Sequence, residues 1–511
     1  MAKNVFFCFL SAALLSAPYI VPALFPLAWL AFVPFFFAVE GVKNPRRAIF
    51  YGWLTGFCAH LAGFHWLVYT IGVFGGFPYA ASVAVFLVYA ALQGLQMALF
   101  AAFVRAGGFG PLQVFPALFW VPLEFLFPLL FPWYVANSQV AFSWFIQTAD
   151  LVGPYGASFI VMWFNAALYK AASAPKRQRL ASSLPVAYAA LAVIVSLVYG
   201  YQRIESVGDE MAGARKMSVG SVQANVDIDL KWNPALAKQN LEKHMSLTAQ
   251  LDPVPAVIWP ESAVEFWVPE NIQVLPRELI PLLKSERANL IFGARSFRGT
   301  PGKADFKAFN TAFHTDANGR VLGRYHKQVL LAFGEYLPFA KLLSRLPAIP
   351  FADGFTAGAG PRIFHLPRGV RAAPLICYED LMPDLVRKFV GETRANVLIN
   401  LTNDAWYGRS VGPWQHLWLA QFRAIETRRS LLRVTNTGVT SLVNAKGEVV
   451  QSLPTFTAAD MHSEVDILTG ETHYVRFGDW FAWGMTTITA GILLFNFKRV
   501  FSAGNANPPV P

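Results

Sequence analysis

Charge is what this chain has least of. Only 14% of its 511 residues are Asp, Glu, Lys or Arg, against roughly 25% in an ordinary soluble protein, which excludes a chain solvated along its whole length. The shortage is local. Of 73 charged residues, 12 fall in the first 200 positions and 61 in the last 311, so the first part is too poor in charge to face water and reads as lipid-embedded. Cysteine is scarce too: Cys8, Cys58 and Cys377 contain no CxxC pair, which excludes a disulfide framework and a thiolate zinc site. Internal repeats and low-complexity tracts are missing, apart from the polar, Pro-containing tail after Phe501. The net charge of +11 does not indicate nucleic acid, because the N-terminal basic residues sit in short clusters between apolar runs and form no stripe for a phosphate backbone.

What is present is a series of apolar runs approaching the about 20 residues needed to cross a roughly 30 Å hydrocarbon layer. They fall at 4–20, 23–40, 51–72, 79–104, 112–132, 154–169, 182–201 and 479–497, about eight transmembrane helices. Lys3, the group Lys43, Arg46 and Arg47, then Arg105, the group Lys170, Lys176, Arg177 and Arg179, and finally Lys498 and Arg499 all lie after an even number of crossings. The positive-inside rule then puts both termini in the cytoplasm and residues 202–478, after seven crossings, on the far side. A single element over 4–40 is the rival reading of the first two runs, but it would separate Lys3 from Lys43. A cleaved signal peptide fits Lys3, Ala12, Ala13 and Ser16 only weakly, since another apolar run follows at once. His60, His65 and Glu124 are costly in lipid; they line a cavity or touch a headgroup, or, more simply, bond between helices.

The domains expected are therefore 1–201 with seven helices, 202–478 as a folded segment with linkers, 479–497 as the eighth helix and 498–511 as a tail. From about residue 217, strand-like runs alternate with helical ones, an α/β layer pattern. Strands are expected at 217–226, 256–260, 289–297, 309–315, 373–379, 395–402, 430–438 and 440–445, and helices at 234–251, 381–390 and 413–429. Asn318-Gly319 is a hairpin signature leading into Lys327. Glu261 ends VIWPES, and Cys377 ends PLICYED ahead of the helix expected near Leu381. Three chemically apt residues thus stand at the exits of separate strands, the usual place for a site in an α/β fold. A following helix N-terminus and a nearby ammonium favour a thiolate. Glu379 and Asp380 oppose it, so Lys327 is the natural positive partner.

The segments WPES, YHKQVLLAFGEYLP and LICYED resemble, in that order, the motifs of the nitrilase, or carbon-nitrogen hydrolase, superfamily, over about residues 217–467. The resemblance implies an αββα sandwich with a Glu-Lys-Cys triad: Glu261 as general base, Lys327 as electrostatic and oxyanion stabiliser, Cys377 as nucleophile. Glu335 resembles the superfamily's additional acidic residue. With seven apolar runs before it and one after, the whole chain resembles the apolipoprotein N-acyltransferase family of the bacterial inner membrane. That implies a phospholipid acyl donor, typically phosphatidylethanolamine, a Cys thioester formed in a ping-pong cycle, and transfer to the α-amino group of a diacylglyceryl-cysteine on an apolipoprotein. It implies a catalytic segment on the periplasmic side, tethered at both ends against the outer leaflet, with a monomeric chain, no cofactor and no metal. Trp232 in DLKWNP resembles an aromatic at the site mouth, Tyr378 offers a contact to the oxyanion, and Glu379 is a further supporting residue. Asn403, Asp404, Trp406 and His416 fit segments that shape the cleft.

Residues 330–360 are unusually apolar for a connection and carry Leu342, Leu343, Leu346, Ile349 and Phe351; they form a lid dipping into the interface or simply pack on the sandwich. Two rival functions remain. A membrane-tethered amidase would use the same triad but needs one anchor at most, and a transporter needs more intramembrane charge than these runs hold.

Overall fold

The computed structural model describes residues 1–275, 288–332, 334–336 and 354–503. The lid candidates Leu342, Leu343, Leu346, Ile349 and Phe351 lie outside the described residues. The chain divides into two compact units. One comprises Met1–His65, Val83–Ile204 and the segment from Phe477; the other comprises Trp66–Ser82 and Glu205–Arg476.

The first unit is helical. Among the described residues four helices are long and apolar enough to cross a membrane: Ala2–Ile20, Pro22–Val39, Tyr79–Gly107 and Ser182–Ala212. A fifth is counted if the bent pair Pro45–Gly63 and Leu67–Gly75 is one span. The described helices of this kind therefore fall short of the expected eight, for local reasons. The run at 51–72 breaks into two helices at an angle of 70°. The run at 112–132 yields only the shorter helix Pro111–Leu126, which stops before Pro128, and Asn165 and Lys170 interrupt the apolar character of Tyr155–Ser173.

Several polar groups in this unit bond to backbone. Asn165 donates to Ala28 O at 3.0 Å and accepts from Phe32 N at 2.9 Å, which satisfies an N–H that the start of helix Phe32–Val39 leaves without an intrahelical partner. Glu124 accepts from Trp120 Nε1 and from Val135 N. His60 Nδ1 lies 2.8 Å from Gly56 O. Helix Pro45–Gly63 approaches its neighbour so closely at Gly56 that an added Cβ would stand 3.0 Å from the backbone of Gly94, the small-residue contact by which helices associate in lipid.

Among the described residues the second unit holds thirteen strands: β1 Arg215–Gln223, β2 Ala256–Ile258, β3 Val264–Pro269, β4 Asn289–Arg298, β5 Lys307–Thr315, β6 Val321–His326, β7 Phe364–Leu366, β8 Val370–Ile376, β9 Val397–Thr402, β10 Ser430–Thr435, β11 Ser441–Val443, β12 Val449–Ser452 and β13 Ala459–Ile467. They form a sheet of order β13-β1-β2-β4-β5-β6, with β3 also paired to β4, and a second sheet of order β12-β11-β10-β9-β8-β7. The central strands β8, β9 and β10 run parallel and are buried along nearly their whole length, as expected for strands covered on both faces.

The sheets pack on each other through β1 and β10, where Gln223 accepts from Thr440 Oγ1 at 2.7 Å and Asn225 N donates to Asn436 O at 2.9 Å. Helix Ala237–Thr248 covers the first sheet, its Thr248 taking the indole N–H of Trp259 at 2.9 Å. Helix Gly412–Thr427 covers the second. The layers are thus helix, sheet, sheet, helix, an α/β architecture. The Asn318-Gly319 turn joins β5 and β6 as an antiparallel hairpin, with Gly319 at φ +75°, a value that favours glycine.

Candidate active site

Three loops at the ends of β2, β6 and β8 bring Glu261, Lys327 and Cys377 together in the second unit. Glu261 follows β2 in a backbone turn so close to β4 that a Cβ on Gly293 would lie 2.6 Å from the Glu261 Cα; only glycine admits the strand there. Lys327 follows β6 and is fixed by its own N–H to Asn310 O at 2.9 Å. Cys377 leaves β8 at φ +54°, a left-handed turn that a non-glycine residue adopts at a cost. Asn400 on the neighbouring β9 holds that turn by donating to Cys377 O at 2.7 Å.

Around these three the polar contacts form a closed set. Lys327 Nζ lies 2.7 Å from Glu335 Oε2, and Leu331 N donates to the same oxygen at 2.8 Å. Asn310 Nδ2 donates to Glu261 Oε1 and to Glu335 Oε1, each at 2.8 Å. Glu261 Oε2 takes no other donor among the described residues, and the Cys377 side chain is near enough to help hold the Glu261 carboxylate charged, so this carboxylate is placed to take the thiol proton. Lys327 is 1% exposed and Cys377 8%.

Charge follows from this burial. The Cys377 thiol is pushed well above its ordinary value by burial and by the Glu261 carboxylate, and Lys327 pulls it down by less. Burial and the neighbouring carboxylate thus favour the thiol over the thiolate, and the α-helix that would help an anion starts only at Pro383, after a short turn over Cys377–Leu381. Burial likewise raises Glu261, against the pull of Lys327, which improves it as a proton acceptor. Burial alone would lower Lys327, but Glu335, Cys377 and Glu261 reverse the direction and keep it an ammonium.

The other expected residues are placed as follows. Tyr378 has its ring 5.8 Å from Lys327 Nζ. Glu379 is fully buried and accepts from Tyr325 OH, Gln328 N, Val329 N and Ile376 N at 2.7–3.1 Å, fastening the Lys327 loop to the Cys377 turn. Trp232 stands at φ +79° with the Arg295 guanidinium 4.2 Å from its ring. The Trp406 ring lies 4.2 Å from that of Phe74, tilted by 44°, and Trp406 accepts through its carbonyl from Thr70 Oγ1 at 2.9 Å, so the second half of the run expected at 51–72 packs on this unit. Asn403 accepts from Asn436 Nδ2 at 3.1 Å. Asp404 and His416 are bonded to each other.

Sequence reasoning missed Asn310, Asn400 and Lys231. The signal for the two asparagines was there: each is a polar residue inside an otherwise buried strand run, FNTAFHT and LINLT. Lys231 is buried and donates to Ser262 O at 3.0 Å, one residue from Glu261. Nothing in its loop segment marks it as buried. Among the described residues no cluster of His, Cys, Asp and Glu is arranged to hold a metal ion.

Two stacked sheets carrying Cys, Glu and Lys at adjoining strand exits define a carbon-nitrogen hydrolase fold, and the family model described as "Carbon-nitrogen hydrolase" matches residues 218–472. A second, "Apolipoprotein N-acyltransferase N-terminal domain", matches residues 11–167. Over 511 aligned positions the chain is 32% identical to a protein of Geobacter metallireducens named "Apolipoprotein N-acyltransferase", covering 96% of this chain and 94% of that one. Proteins of the same name from Rickettsia typhi and Azotobacter vinelandii are 29% and 31% identical, over 89% and 92% of this chain and 90% of each of theirs. The chain belongs to the apolipoprotein N-acyltransferase family.

Proposed function

We propose that the protein transfers an acyl chain from a phospholipid, by way of a thioester on Cys377, to the α-amino group of the diacylglyceryl-cysteine that begins an apolipoprotein. The observation that carries this reading is the buried Cys377 thiol beside the Glu261 carboxylate and an ammonium that stays charged. Glu261 takes the thiol proton as the sulfur attacks the ester carbonyl, and Lys327 stabilises the oxyanion. The carbon–oxygen bond of the ester breaks, the lysophospholipid oxygen leaves with the proton from Glu261, and the acyl group stays on sulfur. In the second half the amine attacks the thioester, the carbon–sulfur bond breaks, and the amine proton passes through Glu261 to the departing sulfur. A thioester keeps the acyl group reactive toward an amine, so one Cys serves both halves of a ping-pong cycle. Phosphatidylethanolamine is the donor this reading takes first.

Glu335 orients Lys327 in this scheme, Glu379 and Tyr378 support the Cys377 turn, and Trp232 lies at the mouth. About eight spans, cytoplasmic termini and a periplasmic segment over 202–478 belong to the same proposal; the basic clusters between apolar runs support it. The proposal also takes the protein as a monomer in the bacterial inner membrane that works without cofactor or metal.

The test is mass spectrometry of the purified full chain with phospholipid. The Cys377 peptide gains one acyl mass as lysophospholipid appears, and loses it when a diacylated Cys peptide is added. An adduct on another residue, or labelling only by a small soluble amide, would overturn the reading.

A further inference from the structure

Behind the nucleophile turn the second unit buries another set of charges. Asp380, three residues after Cys377, accepts from His416 Nε2 at 2.9 Å and from Arg433 Nη1 at 2.5 Å. His416 Nδ1 lies 2.8 Å from Asp404 Oδ1, and Arg433 Nη2 lies 3.5 Å from Asp404 Oδ2. All four residues are at most 3% exposed. They come from four elements: the turn Cys377–Leu381, the turn Asp404–Tyr407, helix Gly412–Thr427 and β10.

A neutral imidazole offers one donor and one acceptor nitrogen, whereas an imidazolium offers two donors. Both nitrogens of His416 face carboxylate oxygens, so the imidazolium satisfies both contacts. It also balances the charge, two carboxylates against two cations; a neutral ring would leave one buried negative charge uncompensated, which is costly. Tyr407, whose ring packs 5.9 Å from the imidazole, carries no charge that alters this balance, because burial raises its hydroxyl well above the ordinary value. Burial and Arg433 lower His416, Asp380 and Asp404 raise it, and the carboxylates prevail.

We propose that His416, as an imidazolium, is a positioning residue that holds the strained Cys377 turn in its reactive conformation through Asp380. The inference rests on Cys377 being the nucleophile. As pH rises through the His416 pKa the proton is lost, the quartet becomes negative and the turn loosens, so acylation has an alkaline limit set here rather than at the thiol.

The experiment uses the full chain in detergent. Nitrogen-15 NMR of labelled histidine, followed as pH rises, should show one imidazole still protonated on both nitrogens after the ordinary histidines have become neutral; no such imidazole overturns the proposal with wild-type protein alone. Single-turnover acylation of Cys377 should fall about a hundredfold in His416→Gln, a loss typical of a slightly misplaced reacting group. The double variant Asp404→Asn with His416→Gln restores a net charge of zero and should recover about tenfold of that loss, a coupling that double-mutant cycles measure. Losses that merely add would sink the charge-balance argument. Alkylation of Cys377 by iodoacetamide needs no lipid and should follow the same order, so the inference can fail or stand independently of the acyl-transfer reading.

Discussion

Glu261 and Glu335 share one amide nitrogen, Asn310 Nδ2, which lies 2.8 Å from an oxygen of each. A single side chain thus sets the spacing of two buried carboxylates, with Lys327 as the cation beside them. Asn310→Ala removes the hydrogen bond that favours the charged form of Glu261, which is already raised by burial. Its pKa then rises further and the acid limb of acylation moves to higher pH. The rate on the plateau should fall by about tenfold to a hundredfold through misplacement of the base. The pH dependence of Cys377 acylation in a single turnover checks both; an unmoved acid limb would show that Asn310 does not tune Glu261.

The Lys327–Glu335 pair makes a prediction about stability. Glu335→Gln leaves the buried ammonium short of a partner, and breaking such a pair costs about 3–5 kcal/mol. Lys327 is held above its ordinary value in the folded chain, so its contribution is fully present below the unfolded lysine pKa and is lost only as pH rises through the higher folded one. The stability gap between wild type and variant should stay constant from neutral pH up to the ordinary lysine range and narrow only beyond it. Denaturant unfolding of both chains across that range checks the sign.

Much of this unit was legible from sequence because its strands are apolar and its site residues end them. The hairpin at Asn318-Gly319 and the exits at Glu261 and Cys377 are local patterns that tertiary contacts did not override. The strands at β7 and β12 are three and four residues long, too short for a period to register. β13 alternates Met461, Ser463 and Val465 inward with His462 and Glu464 outward, and its polar inward Ser463 obscured the pattern. The break between Gly63 and Leu67 carries no proline, and its one polar residue, His65, marks a cost in lipid without showing that the second half of the run at 51–72 packs on Trp406. The resting state of the Cys377 thiol depends on burial, which a motif does not report.

Close backbone approach at Gly293 gives the simplest test of the site's frame. Gly293→Ala places a methyl 2.6 Å from the Glu261 Cα and equally near Ser262 N, where neither backbone can yield cheaply. Overpacking of this kind costs about 1–3 kcal/mol and should lower acylation more than it lowers stability, because the displaced atom carries the base. Equal retention of activity and thermal midpoint in the variant would mean that the two strands separate freely.

Lys231 supplies the last prediction. It is buried, donates to Ser262 O at 3.0 Å and faces Glu265 at 3.8 Å, and burial pushes its pKa down to about 8 despite the nearby carboxylates. Between about 8 and the ordinary lysine value of roughly 10.4 the unfolded chain therefore holds more protons at this residue than the folded one. Stability rises with pH in that window, the opposite sense to Lys327. Against Lys231→Met, wild type should gain about 3 kcal/mol as pH increases across the window, by the linkage between pKa shift and free energy. Denaturant unfolding of the two chains at several alkaline pH values reads the slope directly, and a gap that stays level or shrinks would mean that Lys231 keeps its ordinary pKa in the folded chain.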